Sequence, residues 1–136
     1  MRNVVIFLEE SSEIHRVGAN LLPHLMDGDH LYVLMELPEL KSGAMPLIGD
    51  LKEIRYRKAK AQLESWYKST SLKIEDFKPI IFQEGITPKK LSAHLLDIDN
   101  LLVFGMPHQE KGVRKLFEPL NKKIKLDFVF ANGQVK

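Results

Sequence analysis

Short, unbroken apolar runs alternate along the chain with longer segments whose apolar residues recur at helical spacing. Val4-Val5-Ile6-Phe7-Leu8 is continuously apolar and β-branched, which predicts a strand buried on both faces. Ser11 or Ser12 then suits the cap of a helix whose stripe is Ile14, Val17, Leu21 and Leu25, with Pro23 ending or bending its last turn. Asp27-Gly28-Asp29 reads as a turn, and His30 to Met35 as a second strand. Pro38, Gly43, Pro46 and Gly49 break the pattern, so Glu36 to Gly49 is expected to form a loop of about fourteen residues, a length associated with function or mobility. Asp50 with Glu53 has the spacing of a capping box, and the helix behind it is expected to bury Tyr56, Ala59, Leu63 and Trp66.

The second half continues the alternation. Ile80-Ile81-Phe82 predicts a third strand, and Pro79 places it toward a sheet edge. Gly85-Ile86-Thr87-Pro88 is a helix entry, since Thr caps and Pro at the first position forfeits no useful donor. Leu91, His94, Leu95 and Ile98 share one face of that helix, which makes His94 a hydrogen-bonded core residue. Asp99 to Gly105 opens with a polar turn, runs apolar and closes on glycine, so it reads as another fully buried strand. Val113, Leu116, Phe117 and Leu120 restore helical spacing up to Pro119, and Lys125 to Ala131 alternates as the last strand. Strands separated by helices of this length require right-handed crossovers, hence a doubly wound α/β domain with a parallel sheet. Nothing divides the chain, so residues 1–136 are expected to form one domain.

Composition narrows the chemistry. The chain is 44% hydrophobic and 28% charged, which predicts a folded core. With no cysteine it has no disulfide, thiolate metal site or thiol nucleophile. The net charge of +2 is too small for a nucleic-acid-binding surface, and no nucleic acid is expected. Lys111, Arg114, Lys115, Lys122, Lys123 and Lys125 collect near the C-terminus and read as the solvated face of a helix. No apolar stretch spans a bilayer and no secretory pattern opens the chain, so a cytoplasmic protein without membrane contact is expected. The five histidines show no metal-ligand spacing. Ser11, His15 and Glu9 supply the residue types of a triad, but Ser11 fits a cap and His15 a helix surface, so no catalytic set is assigned. Trp66 and Tyr67 are read as core anchors at a helix end in preference to a base-stacking pair.

Three segments resemble the universal stress protein family over nearly the whole chain. Val4-Val5-Ile6-Phe7-Leu8-Glu9-Glu10-Ser11 resembles that family's first strand, which ends in an acidic residue followed by serine. Gly85-Ile86-Thr87-Pro88 resembles its helix entry after the third strand, and Asp99 to Gly105 its Asp-Leu-Ile-Val-x-Gly strand. The resemblance implies a Rossmann-like open sheet of five parallel strands in the order 3-2-1-4-5, helices on both faces, and a dimer through the last strand. Leu126, Phe128 and Phe130 make one face of that strand apolar, and an unprotected edge there favours a two-fold homodimer.

The family's ATP-binding members carry a glycine loop from the position that Gly105 matches. Here His108 stands where the next glycine belongs, and Gly112 follows Gly105 by seven residues. Val113 replaces the hydroxyl residue, and Pro107 removes an amide. The function expected is therefore a stress-response protein that works by binding or interaction without holding ATP and without catalysis. The alternative is an adenine-nucleotide regulator that takes ATP or AMP in a crevice formed by Glu9, Ser11, Met35, Gly105, His108, Lys111, Gly112 and Arg114. In it the basic residues His108, Lys111 and Arg114 would stand in for the lost glycines.

Overall fold

The structure is a computed structural model that describes residues 2–8, 13–26, 28–37, 48–70, 76–82 and 85–130. Five strands, β1 (Asn3–Leu8), β2 (His30–Glu36), β3 (Asp76–Phe82), β4 (Asn100–Gly105) and β5 (Lys125–Phe130), form one sheet in the order β3-β2-β1-β4-β5. Every pairing is parallel. Four helices connect them: α1 (Ile14–Leu21), α2 (Ile48–Ser69), α3 (Pro88–His94) and α4 (Glu110–Phe117). The expected Rossmann-like architecture and strand order are the ones observed.

Two apolar layers account for the arrangement. Val4, Ile6, Leu8, Val33, Met35 and Phe104 face α1 and α2, where Ile14, Val17, Leu21, Ala59, Leu63 and Trp66 are buried. On the other face Val5, Leu34, Phe82 and Val103 meet Leu91 and Leu95 beside α3, and Val113 and Phe117 of α4. Because successive residues of β1 and β4 point to opposite layers, both strands are apolar without alternation once past their opening Asn3 and Asn100. Trp66 is the anchor expected of it, seated against α1 at Gly18, where a Cβ would come within 2.6 Å of the indole.

Beneath the sheet, the Asp29 carboxylate accepts Arg2 Nη2 at 2.6 Å and Arg2 Nε at 3.1 Å, along with the Met26 amide at 2.8 Å. Arg2 also donates to the His24 carbonyl at 2.7 Å, so one ion pair closes the turn before β2. Asp29 is almost fully buried, and its charge is compensated by these donors.

Several local expectations shift. Thr87 caps α3 as anticipated, accepting the Lys90 amide. The helix stops at His94, however, so Leu91 and Leu95 take the buried positions and His94 is exposed, edge-on to Phe82. It is not a core histidine. Helix α2 begins at Ile48, so Asp50 lies inside its first turn and is not its cap, while Glu53 pairs forward with Arg57 at 2.6 Å. The expected loop is shortened at both ends, by Glu36 in β2 and by Ile48 and Gly49 in α2, and its residues 38–47 lie outside the described ones. So do the caps proposed at Ser11 and Ser12 and the final Ala131.

β3 is longer than the apolar run that marked it, and it is an edge strand. The Phe82 carbonyl accepts the Leu37 amide across the β2 side. Backbone groups alternate in direction along a parallel strand, so those of Phe77, Pro79 and Ile81 face outward. Pro79 therefore loses its donor on the side where no ladder exists.

Gly18→Ala is expected to lower stability by about 1–3 kcal/mol through overpacking against Trp66, despite alanine's better helix propensity. Gly112→Ala, whose Cβ would meet nothing within 4 Å, is expected to raise stability by about 0.5–1 kcal/mol. Urea unfolding of the two variants beside the parent checks both signs.

Candidate functional site

The strand order makes the chain wind in opposite directions from β1 and from β4. Their carboxyl ends therefore diverge into the crevice where doubly wound proteins hold ligands. Beyond Gly105 the chain passes through Met106 in extended conformation, makes a tight turn over Pro107–Gln109 and enters α4. Main-chain groups at this point are what an anion would need.

The amides of Met106, Gln109 and Glu110 are already engaged. Gln109 is buried, and its Oε1 accepts the Met106 amide at 2.9 Å. Its Nε2 reaches across to the Phe7 carbonyl at a long 3.5 Å, and its own amide donates to the Met106 carbonyl at 2.9 Å. One side chain thus ties the end of β4 to the end of β1. Pro107 has no amide to offer.

Gly105 has a packing role here. A Cβ on it would lie 2.9 Å from the Phe130 ring and 3.5 Å from Gln109 Oε1, so the glycine admits an aromatic side chain from β5. Among the described residues the crevice holds a cavity of about 260 Å³ lined by Phe7, His108, Gln109, Gly112, Val113 and Leu116. Its walls are mostly apolar, with His108 at the exposed rim.

Of the eight residues expected to form a site, six are described, and they fall in several places. His108 and Gly112 line the cavity, and Gly105 lies beside Gln109. Lys111 is exposed on α4 and does not line it. Met35 is buried in the layer beneath α1 and α2, on the opposite face of the sheet. Arg114 turns toward β5, its guanidinium 4.7 Å from the Phe128 ring centre and 5.3 Å from that of Phe130. Its Nε donates to Glu110 at 2.8 Å. Glu9 and Ser11 lie outside the described residues, which also leaves the triad types without a described geometry. Among the described residues no cluster of three His, Asp or Glu side chains could hold a metal, and no helix is long and apolar enough to cross a membrane.

Gln109 was missed by motif reasoning, yet a signal for it exists. Glutamine three residues after a helix-flanking position is the reaching half of a capping box, and Met106-Pro107-His108-Gln109 has that spacing. Gln109→Ala is expected to cost about 1–3 kcal/mol, since it strands a buried amide and a carbonyl. Hydrogen exchange should locate the loss at the Met106 amide, with the central amides of β1 falling only as far as global stability falls.

Comparison of the chain with protein-family models, with curated proteins and with solved structures gave no match.

Proposed function

We propose that this chain is a cytoplasmic, universal stress protein-like stress-response domain that acts by binding or interaction, without catalysis and without holding ATP. The observation that carries the reading is Gln109, whose amide group occupies the main-chain donor and acceptor at the ends of β4 and β1. A triphosphate would have to displace that side chain and still find Pro107 without a donor. Arg114, the cation best placed on α4 to compensate, is engaged by Glu110 and two aromatic rings.

The second reading, an adenine-nucleotide regulator, draws on the cavity beside His108 and Gly112. Its 260 Å³ falls below the about 300–1,000 Å³ of typical ligand sites, so AMP or ATP would need the crevice to open. Calorimetric titration of the protein with magnesium-ATP and with AMP is expected to give no saturable heat below about 1 mM ligand, which corresponds to less than about 4 kcal/mol of binding energy. Micromolar affinity, lost in a His108→Ala, Arg114→Ala double variant, would establish the nucleotide reading instead.

A homodimer through β5 belongs to the same proposal. The Lys125 amide donates to the Asp99 carbonyl on the β4 side, so by alternation the backbone groups of Leu126, Phe128 and Phe130 face away from the sheet. A two-fold axis beside Phe128 would pair these groups with their copies in an antiparallel ladder. Sedimentation is expected to give twice the chain mass for the parent. Leu126→Pro, which removes one outward donor and no ladder bond to β4, is expected to give a folded monomer.

A further inference from the structure

We propose that the opposite margin of the sheet, at β3, is a binding site for single-stranded nucleic acid, independent of the crevice at β1 and β4. The fold brings Tyr56, Lys60, Tyr67 and Lys68 of α2 beside Phe77 on one face of β3, with Lys78 on the other face, around a groove of about 710 Å³ that wraps the strand. This is well within the about 300–1,000 Å³ of ligand sites and far larger than the crevice cavity.

The groove's charge selects an anion. Among the described side chains three lysines line it and Glu64 is the one carboxylate. Its rings select something planar. Tyr67 and Phe77 stack on each other nearly parallel, 7° apart with centres 4.5 Å from each other, and both are half-buried, Phe77 also meeting Trp66, so a base would stack on the outer face of Tyr67. On the other side of the strand Lys78 Nζ lies 6.0 Å above the Tyr32 ring, and His94 adds a further exposed ring. Aromatic faces interleaved with cations match the alternation of base and phosphate along a single strand, and every base offers a π-face.

An acidic peptide would satisfy the charge but not the geometry. An extended peptide gains affinity on a sheet edge chiefly through main-chain pairing, and Pro79 lines the groove with its missing donor on the outward side. A nucleic-acid strand needs no such ladder. The basic run Arg55 to Lys60 of α2 supplies Tyr56 and Lys60 to this place, and its other members come from β2, β3, α3 and the end of α2 and join them only in the fold.

The test is fluorescence anisotropy of the full chain with a labelled octa-uridylate. Binding is expected at about 50 mM salt and should weaken with added salt by a slope near 0.7 per phosphate engaged. The Lys60→Gln, Lys68→Gln variant changes two exposed side chains and should weaken binding about tenfold, lowering that slope by about 1.4. Tyr67→Leu should weaken binding with the slope unchanged, and Tyr56→Leu replaces it if the Tyr67 variant melts early. A Lys111→Gln, Lys115→Gln variant on α4 should bind as the parent does. Absence of binding at low salt overturns the proposal, and so does equal weakening by the α4 pair. Displacement of the label by octa-glutamate or by uridine monophosphate at the octamer's own concentration overturns it in favour of a peptide or a free nucleotide.

Discussion

At the carboxyl ends of β1 and β4 two peptide groups leave the sheet, and a single glutamine approaches both, bonding the Met106 amide at 2.9 Å and reaching the Phe7 carbonyl at a long 3.5 Å. The Met106 amide and the Phe7 carbonyl belong to strands that diverge there, so any side chain that meets both also fixes the spacing of the two strand ends. Gln109 can do this because it carries a donor and an acceptor on one planar group and sits at the start of α4, where its side chain points back toward the sheet. The local consequences follow from that seat. Gly105 must be small because Gln109 and Phe130 both approach it, and the residual cavity is limited to the space between Phe7 and the first turns of α4. On the α4 side of the crevice, the main-chain groups that a ligand would meet are thus approached by the chain's own side chain.

How much of this was legible depended on whether a residue's role is set by periodicity or by a distant partner. β1 and β4 are buried on both faces, and an unbroken apolar run is the unavoidable trace of that burial. The stripes of α1 and α2 were readable for the same reason, since Leu63 and Trp66 recur at helical spacing. β3 is legible only from Ile80 to Phe82, because Phe77, Lys78 and Pro79 alternate in the way of a half-exposed edge. His94 was misread because spacing shows the face of a helix but not where the helix stops, and α3 stops at that residue. Gln109 acts on a carbonyl 102 residues away, and no pattern along the chain encodes such a contact.

Arg114 illustrates how partners that a sequence does not show compete for a cation. Beside a suspected phosphate site it reads as a compensating charge, yet its guanidinium has two nearer attractions. Glu110 lies one helical turn before it, and the Phe128 and Phe130 rings stack 6.1 Å apart within its reach. Both attractions are local and require no ligand. Removing water from one face of the guanidinium also shields part of the aromatic surface of β5. The same residue therefore lowers the charge available to the crevice and covers the strand expected to pair with a second copy.

The two margins of the sheet are unlike in a way that separates what each can do. At β3 the outward backbone groups belong to Phe77, Pro79 and Ile81, and the central one has no N–H, so a further strand would find a gap in the middle of the ladder. At β5 the outward groups belong to Leu126, Phe128 and Phe130, all of which retain theirs. Strand addition is thus blocked at one margin and permitted at the other by a single imino acid. Side chains complete the contrast: lysines and stacked rings surround the blocked edge, and an apolar row follows the open one. A chain that joined its copies at β5 would carry the β3 grooves at the two far ends of a continuous sheet, both exposed to solvent. Association through main-chain pairing and recognition through side chains would then occupy opposite edges and would not compete.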